Sequence, residues 1–287
     1  MTLPETDFDR ERRWWDSKAA KEETDSADET INRALRWREI ERNLEGVKTI
    51  LDVGGATGVF SIPLARRGFD VTHLDLSPEM LTIAREKARE LPRIEFVEGH
   101  ASDLAQFSDR YFDLVLNMDG AVSFSGSEAI TAIRETCRVA AGKVIVTVSH
   151  RAQMTASWVG ESLSKTGRIT PAARAMIDRG EWHQDQFPDN GVLTIGLTQS
   201  YLGALKAFLP NELIELLRGA GMQVLRCSGL GSLAGLCDRE LITAISKDGA
   251  MLEPFLDICE QFDSEILPSG PGTRARAGLI AVARRPE

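Results

Sequence analysis

Short apolar runs punctuate the chain from residue 49 onward: TILDV, DVTHLD, RIEFVE, FDLVLN and KVIVTVS. They occupy 49–53, 70–75, 93–98, 112–117 and 143–149, are β-branched in part, and read as strands. Between them lie VFSIPLARRG, SPEMLTIAREKAREL and SEAITAIRETCRVA, whose apolar positions recur at helical spacing. The second of these has a defined start, with Ser77 as N-cap, Pro78 at the first helical position and Glu79 in the first turn. Strands alternating with helices in this rhythm predict βαβ units on a parallel sheet, with right-handed crossovers placing helices on both faces.

The rhythm stops at residue 150. Residues 151–205 carry Gly160, Gly167, Gly180, Pro171 and Pro188 and read as an insert, a lid over a substrate site. Then LPNELIELLRGAGMQVLRCSGL restores helix and strand (223–229), with Gly221 ending the helix. A second insert, 231–269, holds a helix near Met251–Phe262, and AGLIAVARR closes with a strand at 277–284. Ahead of the sheet, 1–48 form an extension. Its first dozen residues read as disordered, and Ile31, Leu35, Ile40 and Leu44 near helical spacing predict one or two helices. The expected organisation is an extension (1–48), a ligand-binding core (49–150), a lid (151–205) and the rest of the core (206–287).

Composition narrows the partners. The 287 residues carry a net charge of −9, which repels polyanions, so nucleic acid and anionic membranes are poor partners. No run approaches the roughly 18 apolar residues of a membrane span, and MTLPETDFDRE lacks the apolar centre of a signal peptide, so the expected location is cytoplasmic. Cys137, Cys227, Cys237 and Cys259 form no CxxC pair and no zinc spacing with the four histidines, so no metal site is expected.

The chemistry concentrates in ILDVGGATGVF, residues 50–60. Glycine at 54, 55 and 58 strips side chains from the tip of the first strand, where an open parallel sheet binds its ligand. A dinucleotide fingerprint would need glycine at 54, 56 and 59, but 56 is Ala and 59 is Val. A phosphate loop would need Lys after its second glycine, and no Lys or Arg lies between 49 and 65. Instead the strand ends in Asp52, a carboxylate that favours a cation or an ammonium group.

These residues resemble the first motif of the class I S-adenosylmethionine-dependent methyltransferases, an acid followed by G-x-G-x-G. Asp52, Gly54, Gly55 and Gly58 fit it, and Ala56 departs from it by one methyl group. The resemblance extends over about 49–150, 208–229 and 277–284. It implies a Rossmann-like, seven-stranded, mostly parallel sheet of order 3-2-1-4-5-7-6 with the last strand antiparallel, and S-adenosyl-L-methionine as cofactor. By the same resemblance Asp75, 23 residues after Asp52, accepts the ribose hydroxyls, while Leu76 and Met80 pack on the adenine. Ala101 and Ser102 supply backbone at the adenine edge and Asp103 accepts from its amine, although the family often has an acid where His100 stands. Asn117 and Met118 line the methionine moiety. Asp75 could instead serve only to begin the helix after it, and Asp103 could be a loop cap.

A methyl on a sulfonium is already activated, because its leaving group departs neutral; alignment and exclusion of water matter most. A hydroxyl or ammonium acceptor must still lose a proton, and His150, His183, Asp119 and Tyr201 are candidate bases. His150 follows the fifth strand and could equally anchor the start of the lid. Trp14, Trp15 and Trp182 are aromatic candidates for the acceptor pocket or for core packing. NMDG stands where similar DNA- and protein-methylating enzymes carry Asn/Asp-Pro-Pro-Tyr/Phe, and the Pro-Cys of pyrimidine-carbon methylation is missing. The expected activity is therefore methyl transfer to oxygen or nitrogen of a small molecule, in specialised-metabolite biosynthesis. A fold of this kind also serves non-methylating chemistry or non-catalytic binding. A nicotinamide-dependent oxidoreductase fits less well, since neither Tyr111 nor Tyr201 has a lysine four residues on.

Overall fold

The computed structural model describes residues 7–22, 26–118, 120–183, 204–266 and 278–286. Seven strands form one sheet: β1 (Thr49–Val53), β2 (Asp70–Asp75), β3 (Ile94–Glu98), β4 (Phe112–Asn117), β5 (Ala140–Ser149), β8 (Gln223–Leu230) and β9 (Gly278–Arg284). Two short strands, β6 (Glu181–His183) and β7 (Ala204–Lys206), pair separately. The large sheet runs β3-β2-β1-β4-β5-β9-β8, parallel from β3 to β5, with β9 antiparallel to both of its neighbours. Counted within the sheet, this is the expected order 3-2-1-4-5-7-6.

The order follows from burial. Ile50, Leu51 and Val53 are fully buried, so β1 is apolar on both faces and must lie in the middle. Leu51 and Val53 pack on one face with Val115, Ile133, Val146 and Leu213. Ile50 points to the other face, with Leu64, Leu114, Ile145 and Ile280. The chain leaves β1 toward β2 and β3, then returns across the sheet to β4 on the other side and goes on to β5, so a crevice opens above Val53, Asp75 and Asn117 where the winding reverses.

The second face is closed by two segments far apart in sequence. The helix Ala27–Glu41 buries Ile31, Leu35 and Ile40 there, beside Leu256 and Cys259 of the helix Gly249–Gln261. Ionic contacts bind the two helices: Arg38 reaches Glu253 at 2.5 Å and Asp257 at 2.7 Å, and both terminal nitrogens of Arg42 reach Glu260, at 2.6 and 2.7 Å.

The first dozen residues, expected to be disordered, contribute the start of a helix, Asp7–Asp16. The stretch after β5 also carries two helices, Arg151–Thr166 and Pro171–Arg179. Gly167 and Gly180, read from sequence as breaks, are the left-handed C-caps of these two helices, at φ +67° and +65°. The N-terminal helix and this region meet in a cluster of Trp14, Trp158, Met176, Trp182 and Leu205, with Trp15 and Phe124 at its edge. Among the described residues, no helix is long and apolar enough to cross a membrane, and no group of acids, histidines and cysteines could hold a metal.

Candidate functional site

A pocket open to solvent lies at the carboxyl ends of β1, β2 and β3. Its floor is the glycine loop. Gly54 and Gly55 both donate N–H to the Leu74 carbonyl, at 2.8 and 3.1 Å, which ties the loop down on the end of β2. A Cβ at Gly54 would stand 2.6 Å from that of Ala121, one at Gly55 would stand 2.5 Å from the His73 ring, and one at Gly58 would overlap Ile62. The bare α-carbons thus let the loop sit on its own protein, and backbone faces the pocket from above them. Ala56 adopts φ +48°, a left-handed conformation that glycine takes freely and alanine does not.

That conformation aims the Ala56 N–H at Asp75 Oδ2, 2.8 Å away. Asp75 Oδ1 accepts the Ser77 N–H at 2.8 Å, and Ser77 Oγ in turn accepts from Met80 N at 3.1 Å to cap the helix Pro78–Lys87. Asp75 therefore organises the loop and the helix start, and each of its oxygens keeps a second lone pair for a ligand hydroxyl. Burial, helped by the nearby Glu11 carboxylate, raises its carboxyl to about 6 against the lowering effect of the Ser77, Ala56 and Leu76 N–H groups. Below the loop, His73 is fully buried, bonds Ser61 Oγ at 2.7 Å and is lowered to about 4 by desolvation, so it stands neutral under the floor.

Asp52, Gly54, Gly55, Ala56, Asp75, Leu76, Met80, Ala101 and Met118 all line this pocket, and so does Trp15. Gly58, Ser102, Asp103 and Asn117 are not among its lining residues. Gly58 ends the loop at φ +90°. Asp103 is exposed and its Oδ1 accepts the Ala105 N–H at 3.3 Å, a loop cap. Ser102 donates its N–H to His100 Nδ1 at 3.2 Å, so that donor turns toward the imidazole. Asn117 is buried and donates to Thr136 Oγ1 at 2.8 Å.

His150, the candidate base, is the N-cap of the helix Arg151–Thr166. Its Nδ1 accepts the Ala152 N–H at 3.0 Å and the residue is 2% exposed. With Nδ1 accepting, the neutral ring carries its proton on Nε2 and has no lone pair left for a substrate proton. The geometry makes His150 an anchor. Trp14 and Trp182 are buried in the aromatic cluster, and His183 sits on β6 beside it. Asp119 and Tyr201 lie outside the described residues.

Among the lining residues that the sequence did not mark as candidates are Glu11, Glu22, Arg33 and Thr57. Thr57 Oγ1 is buried in the glycine loop with no hydrogen-bond partner among the described residues. Its signal was its place inside the motif. Glu11 and Trp15 stand four apart on one helix, a shared face legible as amphipathic spacing. The pocket thus gathers the carboxylates of Glu11, Glu22, Asp52 and Asp75 around one guanidinium, Arg33. Such a set suits a ligand with two cationic centres and one carboxylate and repels a triphosphate. A sulfonium amino acid joined to a nucleoside has that charge pattern, and Thr57 supplies it a hydroxyl.

A glycine loop on the first strand, an acid closing the second and the antiparallel β9 between β5 and β8 together match the architecture expected of a class I methyltransferase core. Residues 50–142 match the family described as Methyltransferase domain. The magnesium-protoporphyrin O-methyltransferase of Rhodobacter capsulatus is 25% identical over 186 residues, 61% of this chain and 82% of that one. Other curated relatives match this chain over 39% and 34% of their own length. Among solved structures, the CcbJ methyltransferase from Streptomyces caelestis superposes with a TM-score of 0.55 at 17% identity, covering 96% of this chain and 99% of that one. The magnesium protoporphyrin IX methyltransferase of Synechocystis PCC 6803 with bound S-adenosylmethionine superposes with a TM-score of 0.54 at 15% identity, over the full length of both chains. Residues 50–142 thus carry a methyltransferase domain of the S-adenosylmethionine-dependent kind, and S-adenosylmethionine is its cofactor.

Proposed function

We propose that this protein transfers a methyl group to an oxygen or nitrogen of a small-molecule acceptor, in the biosynthesis of a specialised metabolite. The observation that carries this reading is the aromatic wall continuous with the cofactor pocket. Trp15 lines the pocket and packs edge-on against Trp14 and Phe124, with ring centres 4.4 and 5.2 Å away, and Trp14 joins the cluster of Trp158 and Trp182. An apolar, aromatic cover of this kind suits a flat or greasy organic acceptor and offers no basic track for a polyanion. The relative named for O-methylation of magnesium-protoporphyrin supports oxygen as the acceptor atom.

Asp52, Asp75, Arg33 and Thr57 would hold the cofactor. When bound, S-adenosylmethionine supplies a methyl group on a positively charged sulfur. The protein's part is to orient the acceptor and exclude water. Glu11, Trp15 and Glu22 on the pocket wall, with Trp14 packed in one cluster with Trp158 and Trp182, support segments 7–22 and 151–183 as a cover over the crevice. With His150 committed as a helix cap, the reading needs no proton transfer at that residue.

The test uses the full chain with methyl-labelled S-adenosylmethionine and a panel of phenols, carboxylic acids and amines. Labelled product on oxygen or nitrogen of one acceptor class, with stoichiometric S-adenosylhomocysteine, is the expected result. Label transferred to nucleic acid or protein, or cofactor bound without transfer to any organic acceptor, would overturn the proposal.

A further inference from the structure

The N-terminal helix Asp7–Asp16 lies outside the matched family region, yet two of its residues, Glu11 and Trp15, line the cofactor pocket. Phe8 packs edge-on against the His100 ring at 5.4 Å, and Glu11 Oε2 stands 3.4 Å from His100 Nε2. Arg12 reaches Glu98 at 3.5 Å, and Asp16 Oδ1 accepts from Ser77 Oγ at 2.5 Å. The helix therefore bridges the end of β3 to the start of the helix after β2. Between those anchors, Glu11 and Trp15 face the pocket.

The hydrogen bonds around His100 decide what this wall can recognise. A backbone N–H can only donate, so the Ser102 N–H, 3.2 Å from His100 Nδ1, makes Nδ1 an acceptor. The Ser102 hydroxyl, 2.7 Å away, turns its proton to the same nitrogen. The ring proton of neutral His100 is then on Nε2, which points between Glu11 Oε2 at 3.4 Å and Ser125 Oγ at 3.3 Å. The Ser125 hydroxyl can accept there, because its own proton is committed to the Ala121 carbonyl at 2.6 Å. The imidazole thus presents a donor at this end of the pocket, and the side-chain acceptor beside it is the Glu11 carboxylate, only 12% exposed.

We propose that Glu11, from the N-terminal helix, accepts a hydrogen bond from the exocyclic amine of the bound cofactor's adenine, with His100 holding its carboxylate in place. The inference rests on the cofactor reading above. It assigns the base-recognition role to a residue outside the sheet, at a position where the chain carries His100 rather than an acid. Leu76 and Met80 form the apolar slot for the ring, and Gly99 and Ala101 complete its edge. Cofactor selection and placement of the N-terminal helix then become one event, since the same carboxylate serves both.

The test compares S-adenosylhomocysteine with S-inosylhomocysteine, in which a carbonyl replaces the amine, by calorimetry on the full chain. Wild type should prefer the adenine form by about tenfold or more, the range of one hydrogen bond to a charged group. Glu11→Ala should lose that preference mainly by weakening the adenine form. Glu11→Gln, whose amide can donate to the carbonyl, should bind the inosine form better than wild type does. If Glu11 only anchors the helix, both ligands weaken equally in both variants and the proposal is overturned. Unchanged affinities in the variants overturn it as well. A wild-type chain that binds neither ligand refutes the cofactor reading itself, and this inference with it.

Discussion

Replacing Asp75 with Asn separates what this carboxylate does for the ligand from what it does for the fold. The change keeps shape and removes charge. In the native protein the carboxyl is raised from 3.8 to about 6, so ionising it in the fold costs about 3 kcal/mol more than in water, taking 1.36 kcal/mol per pH unit. Its folded value lies above its unfolded one, so this penalty is absent below pH 3.8, grows through the interval to about 6 and is fully present at pH 7. Asn relieves that penalty. It also turns an NH₂ toward either Ala56 N–H at 2.8 Å or Ser77 N–H at 2.8 Å, leaving one buried donor facing a donor, a loss of about 1–3 kcal/mol. The two effects oppose, so stability at pH 7 should change by less than about 2 kcal/mol. Cofactor binding has no such compensation: losing acceptors for the ribose hydroxyls should cost roughly 1.5–3 kcal/mol, or about 10- to 150-fold in affinity. Native affinity should also fall as pH drops below about 6, with proton release on binding near that pH, whereas the Asn variant should be flat. Calorimetry in buffers of different ionisation enthalpy, beside urea denaturation of both proteins, reads all three quantities. Equal cofactor affinity in the two proteins, or the same pH dependence in both, would refute the role given to Asp75.

Ala56→Gly relieves a left-handed alanine at φ +48°, worth about 1 kcal/mol, against a similar gain in unfolded-chain entropy. Denaturation should show a change within about 1 kcal/mol, and a larger loss would mean that the alanine methyl packs usefully. His150→Gln should keep near-native turnover and cofactor binding, because His150 caps a helix; a loss of 100-fold or more in turnover alone would reinstate it as a base. Asp263 is 2% exposed and accepts the N–H groups of Gly231 at 2.7 Å and Ser232 at 3.1 Å. Asp263→Ala should destabilise by roughly 2–4 kcal/mol while leaving cofactor affinity unchanged; loss of affinity without loss of stability would contradict this placement.

The sheet was legible because its strands had no alternative. A run such as ILDV with every member buried can satisfy its neighbours only in the centre of a parallel sheet, and the glycines after it announce where the crevice lies. Ser77-Pro78 announced a helix start for the same local reason, a hydroxyl cap before a fixed φ. Thr170-Pro171 carries the identical signal, and Thr170 does cap the helix that begins there, accepting from Ala173 N at 3.3 Å. The glycines on either side, Gly167 and Gly180, mask it by reading as breaks. The contacts of Glu11 with His100 and of Arg38 with Glu253 were not legible at all. Each joins positions far apart in the chain, and no periodicity within one segment encodes its partner in another.

The glycine loop shows why a motif can be necessary for a ligand without being devoted to it. Gly54 and Gly55 are required by the protein's own packing, against Ala121 and His73, and Gly58 by its backbone at φ +90°. A side chain at Gly55 would collide with a buried imidazole that has nowhere to move, whether or not a cofactor ever arrives. What the ligand meets is the consequence: a backbone pulled down onto β2 by two hydrogen bonds to Leu74, with the Ala56 amide turned to Asp75 and the Thr57 hydroxyl buried within it. Packing sets the height and tilt of the floor, and the floor sets which groups of a cofactor can be reached. Substitution at Gly55 should therefore appear first as lost stability of the ligand-free protein, of about 1–3 kcal/mol for an overpacked core site. Gly55→Ala measured by denaturation without cofactor decides the matter. If the ligand-free variant is as stable as wild type and only binding suffers, the glycine answers to the ligand, and the packing account of the loop is wrong.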